Sequence, residues 1–215
     1  MCDISSLPRH RLSLPGGWIQ VTPGFLFLTA LLFYRGTQEF VGGFFLAAVL
    51  HEVGHIAAAR LLGVPARGLS LTAFGCVLSL GGEALIPAGK LLCIAGAGPA
   101  VNLCALLLCQ AFCGGKGPLA LFEAENLLLA LFNLLPLFPL DGAVMLNTFL
   151  SLRMLPDRAE CLVSGISLVL AAASVAVAVW LGGTDCLRML LFGLWMGAGA
   201  LRKLGISLVN LSAFR

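Results

Sequence analysis

The sequence predicts an all-α polytopic membrane protein with six transmembrane helices, and three observations support that fold class. Its 215 residues are 60% hydrophobic and only 11% charged, with a mean hydropathy of +1.02. Soluble domains carry about 25% charged and about 45–50% apolar residues, so little of this chain suits an aqueous domain. Six apolar segments each approach the ~20 residues that cross ~30 Å of hydrocarbon. We therefore expect residues 1–215 to form a single membrane-embedded domain.

The six segments follow one another with short connections. They cover residues 18–34, 39–62, 90–113, 119–135 resuming over 143–152, 161–181 and 187–207. Only four residues join the first two segments, so we expect these to be antiparallel neighbours. The fourth segment contains Pro136 and Pro139, which remove two backbone donors and forbid a regular helix there. We expect a broken fourth helix, because unwound backbone at membrane depth survives only inside protein or beside a wet cavity.

The stretch between the second and third segments has a different periodicity. Turn-forming residues are frequent over 63–87, and apolar and polar side chains alternate before Gly75. After Gly75 the alternation continues less cleanly. Period two predicts two short strands and a membrane-associated β-hairpin around Gly75. An irregular interfacial loop is the alternative. Such a strand could pair with an unwound substrate, which makes Gly75 a candidate substrate contact.

The positive charges indicate the orientation of the chain. With six spans both termini lie on one side, and all 13 Lys and Arg residues except Arg35, Lys116 and Arg188 fall on that side. The positive-inside bias places both termini in the cytoplasm. Net charge is only +3 and the basic residues are scattered, which argues against a nucleic-acid partner. We expect a multi-pass membrane protein whose surroundings are the lipid bilayer.

The second segment carries His51-Glu52-Val53-Gly54-His55. Ionisable groups in hydrocarbon are costly and mark functional sites, although internally paired structural groups are the alternative. Residues four apart share a helix face, so both imidazoles can reach one metal ion. Glu52 projects about 100° around the helix, where it can hold water without being a ligand. This is the H-E-x-x-H pattern of zinc metalloproteases.

A catalytic zinc site needs a third protein ligand and an open position for water. Asp141 and Glu83 are the candidates. Asp141 is favoured because it adjoins the unwound stretch, where a carboxylate can turn toward a neighbouring helix. Glu83 follows Gly81-Gly82, a flexible interfacial setting that suits a solvated glutamate. We call His51, His55 and Asp141 the metal group and expect it to hold one Zn²⁺.

These residues predict peptide hydrolysis. Zinc in the metal group would lower the pKa of water from about 15.7 toward 7. Glu52 would accept the proton of the attacking water and return it to the leaving amine. Asn102 and Asn133 each lie within three residues of a helix-breaking proline, and a side-chain amide could stabilise the oxyanion. A helix–helix hydrogen bond is the alternative for each asparagine.

The remaining polar and sulfur-containing residues have simpler interpretations. Glu123 and Glu125 lie near the outer interface of the fourth segment and are expected to be solvated or to meet headgroups. The eight cysteines form no C-x-x-C pair and are interpreted as small buried hydrophobes. The first residues lack a small-residue cleavage site after a short apolar core, so no cleavable signal peptide is expected.

Three motifs in order resemble the site-2 protease family of intramembrane zinc metalloproteases. They are His-Glu-Val-Gly-His at 51–55, Gly-Pro-Ala-Val-Asn at 98–102 and Asn-Leu-Leu-Pro-Leu-Phe-Pro-Leu-Asp-Gly at 133–142. The resemblance is strong over 39–152, the expected catalytic core. It implies that the metal group binds zinc and that Glu52 is the base. It also implies that Asn102, Asn133 and the adjacent Pro136 contact substrate or shape the site.

Compactness, cytoplasmic termini and the residue sequence of the third motif look most like the bacterial stage IV sporulation branch, which implies a location in the bacterial cell membrane. That resemblance implies a membrane-associated or single-span protein substrate, in particular a sporulation pro-sigma factor, cleaved near the cytoplasmic leaflet. An inhibitory or regulatory membrane protein is a candidate partner. Only a short tail follows the last span, and we expect neither a PDZ nor a CBS domain. The alternative functions are a zinc-binding pseudoprotease that retains membrane proteins and a metal transporter.

Overall fold

The computed structural model describes residues 11–14, 17–35, 37–72, 75–81, 86–113, 118–181 and 193–205 apart from 195 and 202. These residues are mostly helical and include a small sheet. The strands are β1 (Arg11–Leu14), β2 (Gly17–Val21), β3 (Ala66–Thr72) and β4 (Gly75–Leu80). The helices are α1 (Pro23–Arg35), α2 (Gln38–Leu61), α3 (Ala88–Cys113), α4 (Pro118–Asn133), α5 (Asp141–Ser151) and α6 (Pro156–Leu181). The described residues of 193–205 are also helical.

The sheet has four strands in the order β1-β2-β3-β4. β3 and β4 pair antiparallel with Ser70 opposite Val77, which confirms the predicted hairpin around Gly75 over the irregular loop. β2 pairs parallel to β3 with Ile19 opposite Leu69, and β1 pairs antiparallel to β2. The expectation of an all-α chain is therefore wrong for the residues before α1. In this described sheet β4 is an edge strand, and an edge strand can accept an added strand.

The first predicted segment begins too early. Trp18 lies in β2, and α1 begins only at Pro23, a residue whose fixed φ suits the first helical position. A short apolar run in a strand cannot be distinguished from the start of a helix by periodicity alone. Trp18 lies directly opposite Gly68 in the sheet, and its indole ring fills the space that a side chain at position 68 would need. That pairing joins parts of the chain far apart in sequence.

Three of the described helices are long and apolar enough to cross a membrane. They are Gln38–Leu61, Ala88–Phe112 and Pro156–Trp180. With 13 and 16 residues, α1 and α4 are about 20 and 24 Å long at ~1.5 Å per residue, less than ~30 Å of hydrocarbon. The sixth predicted segment, 187–207, lies partly outside the described residues. The six-span prediction therefore stays a prediction.

The helix that carries the histidines has well-defined ends. Thr37 caps the start of α2, with its Oγ1 accepting from the Phe40 N–H at 3.3 Å. After Leu61 the chain turns through Gly63, whose φ of 67° is left-handed and favours glycine. These ends fix the length of α2 and so the position of its buried histidines.

The predicted break in the fourth segment is confirmed, because α4 ends at Asn133 and α5 begins at Asp141. Within this stretch the Leu137 N–H donates to Leu135 O at 2.8 Å, and the Leu140 N–H donates to Leu137 O at 2.7 Å. The Phe138–Pro139 peptide bond is cis. The Phe138 N–H, a further backbone donor of this stretch, donates to Ser167 Oγ of α6 at 3.1 Å. The unwound backbone is thus hydrogen-bonded inside the protein, as membrane depth requires.

The chain forms two compact units. One contains the sheet, α1, α2, α3 from Ala100 onward and α4 through Leu129. Its most buried residues include Val41, Ala47, Ala59, Asn102 and Asn126. The other contains 87–99 and the described residues from Ala130 onward. Its core holds Leu137, Leu140, Ala171 and Met196, with Phe132 packed against them.

Candidate metal centre

The two motif histidines lie one turn apart on α2 and are buried, with 5% of His51 and 7% of His55 exposed. Their rings meet edge to face with centroids 4.7 Å apart. The two Nε2 atoms are 3.1 Å apart. Two nitrogens bound to one tetrahedral zinc at 2.0–2.1 Å would be separated by about 3.3 Å. The spacing of the imidazoles therefore suits one shared ion.

A buried asparagine determines which nitrogen of His51 carries the proton. Asn102 on α3 is fully buried, and its Oδ1 lies 2.7 Å from His51 Nδ1. Its Nδ2 donates to the backbone oxygen of Ala47 at 3.0 Å. A carbonyl oxygen can only accept, so the Asn102 amide must present Oδ1 to the imidazole and Nδ1 of His51 must donate. The lone pair then resides on Nε2, where a metal ion would bind.

Asp141 is the first residue of α5, and a helix N-terminus favours a negative side chain. The two imidazoles and the Asp141 carboxylate each offer one ligand atom to a metal ion. Two neutral imidazoles and one carboxylate make a donor set known from catalytic zinc sites. The metal group therefore fits a zinc ion. The competing candidate, Glu83, lies outside the described residues.

Glu52 lies against the sheet. The Cys76 thiol of β4 donates to its carboxylate, and burial together with that carboxylate raises the pKa of Cys76 to about 12. Cys76 therefore stays protonated at neutral pH, so it serves as a hydrogen-bond donor and not as a thiolate ligand. The contact places the start of β4 beside the predicted base.

The structure also locates the predicted substrate residues. Asn133 is the last residue of α4, Pro136 lies in the unwound stretch and Gly75 opens β4 opposite Thr72. Their roles stay predictions. Asn102 uses its oxygen on His51 and both amide hydrogens inside the protein. This geometry favours shaping the site through His51 over donation to an oxyanion.

Sequence reasoning missed several buried polar residues. Glu123 and Glu125 were expected to be solvated, but only 7% and 5% of them is exposed, so that expectation is wrong. Asn126 is fully buried and bonds to Asn102, and Ser167 supports the unwound stretch. Asn126 and Asn133 are two helical turns apart and share a helix face. That spacing was the sequence feature from which a role of Asn126 near the site could have been predicted.

No family model matches the chain. Three curated relatives named as zinc metalloproteases match about half of it. Rip3 of Mycobacterium tuberculosis is 39% identical over 116 residues, covering 49% of this chain and 29% of the relative. The protein sll0528 of Synechocystis is 38% identical over 112 residues, covering 48% and 29%. MJ0392 of Methanocaldococcus jannaschii is 36% identical over 117 residues, covering 50% and 33%.

The solved structure of a site-2 protease from Methanocaldococcus jannaschii matches with a TM-score of 0.67 and 25% identity, covering 91% of this chain and 95% of that chain. The chain is thus similar in fold to a site-2 protease, and about half of its sequence is similar to proteins named as zinc metalloproteases. The site-2 protease likeness extends over most of the chain, well beyond the half that matches the curated relatives. The chain spans only 29–33% of the length of those relatives.

Proposed function

We propose that this chain is an intramembrane zinc endopeptidase. The observation that carries the proposal is the pair of buried imidazoles on α2, whose Nε2 atoms lie 3.1 Å apart, a spacing that suits two ligands of one zinc ion. Asp141 is the proposed third ligand. Three helices of membrane-spanning length and composition support a site within the bilayer. When bound, zinc would supply a Lewis acid that acidifies water and polarises a peptide carbonyl. The positive-inside bias of the sequence favours cleavage near the cytoplasmic leaflet.

Glu52 is the proposed general base. It follows His51 directly in α2, and its carboxylate accepts a hydrogen bond from Cys76. In this role Glu52 takes a proton from the attacking water and delivers it to the leaving amine. The peptide C–N bond breaks, and the new carboxylate and amine leave as products.

The sheet edge supports a mode of substrate binding. A peptide within a membrane helix has its carbonyls occupied by hydrogen bonds, so it must unwind before hydrolysis. The described sheet ends at β4, whose Cys76 touches Glu52. An extended peptide added beside β4 would lie next to the base, with main-chain hydrogen bonds replacing those of its helix. We propose that Gly75, Asn133 and Pro136 contact that peptide.

A membrane-associated or single-span protein is the proposed substrate class, with a sporulation pro-sigma factor as the first candidate. That candidate rests on the amino-acid sequence of residues 133–142, which resembles the corresponding motif of the sporulation branch. An inhibitory membrane protein remains a candidate partner on the same ground.

Replacing the base tests the proposal directly. Glu52→Gln keeps the shape of the side chain but cannot accept a proton, so cleavage should fall by about 10²- to 10⁴-fold while bound zinc is unchanged. Coexpression with candidate pro-sigma factors and single-span proteins, scored for processing, measures the cleavage. Glu39→Gln, an exposed glutamate in the first turn of the same helix, is the control and should leave processing intact. Full cleavage by Glu52→Gln with zinc bound would remove Glu52 from this role.

A further inference from the structure

We propose that Asn126 is a positioning residue that holds His51 in its metal-binding tautomer through Asn102. The inference rests on the proposed zinc site and extends it to α4. Asn102 Nδ2 donates to Asn126 Oδ1 at 2.8 Å, and Asn126 Nδ2 donates to Phe122 O at 2.8 Å. Together with the bond from His51 to Asn102, these contacts form a continuous relay from α2 through α3 to α4.

The donors and acceptors of the relay are fixed, because two of its hydrogen bonds end on backbone carbonyl oxygens, which can only accept. Phe122 O accepts from Asn126, which leaves Oδ1 of Asn126 as the acceptor for Asn102. Ala47 O accepts the other amide hydrogen of Asn102. Neither carbonyl can donate, so both asparagine amides have a single consistent orientation. In that orientation the group facing His51 Nδ1 is an acceptor.

A reversed Asn102 amide would have two consequences. Its oxygen would face the oxygens of Ala47 and Asn126, two acceptor–acceptor contacts in a buried place where water cannot compensate. Its N–H would face His51 Nδ1 and force the proton onto Nε2, where the metal lone pair is required. Asn126 supplies one of the two contacts that prevent this reversal. Loss of Asn126 should therefore weaken zinc binding although the residue touches no ligand of the ion.

The test is the zinc affinity of the purified full chain in detergent, measured by competition with a chelator of known affinity. Asn126→Leu removes the acceptor at similar volume and should weaken zinc binding by about tenfold, the lower end for outer-shell partners of metal ligands. The control is Asn147→Leu, because Asn147 on α5 has a buried Oδ1 with no hydrogen-bond partner in the described structure. Asn147→Leu should leave the affinity unchanged.

A double-mutant cycle separates the relay from general destabilisation. In an Asn102→Leu background, Asn126→Leu should cause no further loss of zinc affinity, since its effect passes through Asn102. Asn126→Asp offers Asn102 the same acceptor oxygen and, when protonated, an O–H to Phe122 O, so it should bind zinc within about threefold of the parent chain. That variant decides the question if Asn126→Leu does not fold.

Wild-type zinc affinity in Asn126→Leu, additive losses in the cycle, or a tenfold loss in Asn126→Asp would each overturn the proposal. These measurements involve no substrate. If the parent chain binds zinc with this dependence on Asn126 but cleaves nothing, the proposed protease function fails and the relay stands. If the parent chain binds no zinc, the proposed function itself fails.

Discussion

At the scale of single residues, Asp141 decides whether the site is a zinc centre. Asp141→Asn removes a charged ligand at a helix N-terminus. Mutating a residue that only supports a metal ligand lowers metal affinity by up to about 100-fold, so losing the ligand itself should lower zinc affinity further. Chelator competition on the purified protein measures this. Asp157→Asn, in the first turn of α6, and Glu83→Gln should both leave zinc binding unchanged. A large loss in Glu83→Gln instead would make Glu83 the third ligand.

At the scale of elements, the break between α4 and α5 depends on a helix that is distant in sequence. Ser167→Ala removes the acceptor of the Phe138 N–H, and an unsatisfied buried donor costs about 1–3 kcal/mol. We expect lower thermal stability in detergent and weaker zinc binding, because this stretch leads into Asp141. Ser164, almost one turn earlier on α6, is equally buried but its Oγ has no hydrogen-bond partner in the described structure. Ser164→Ala should therefore be neutral, and an equal loss from both variants would contradict this account.

At the scale of the whole molecule, bound zinc should stabilise the fold, because the ligands come from separate segments that the unfolded chain does not hold together. With free zinc at 100 times its Kd, linkage predicts about 2.7 kcal/mol. Thermal unfolding in detergent should shift to lower temperature on chelation and recover on adding zinc. Asp141→Asn should unfold at the same temperature with and without chelator. A chelator effect that persisted in that variant would place the stabilising ion elsewhere.

Much of the architecture was predictable because its causes are local. The histidine spacing of α2, the prolines at 136 and 139 and the alternation around Gly75 act within a few residues, and the structure has a helix, a break and a hairpin at those places. The strands β1 and β2 were missed because Trp18 and its neighbours pair with β3, far away in the chain. Glu123 and Glu125 were misjudged because helix packing alone determines which turns of α4 are buried.

The order of the amino acids is enough to predict the reactive groups: two imidazoles on one helix face, an adjacent glutamate and an aspartate after an unwound segment. The fold, in contrast, brings Asn102 of α3 against His51 and Asn126 of α4 against Asn102. The physical reason is that spacing along a helix is set by backbone geometry. The direction of a buried hydrogen-bond relay is set instead by backbone carbonyls that packing brings from other helices.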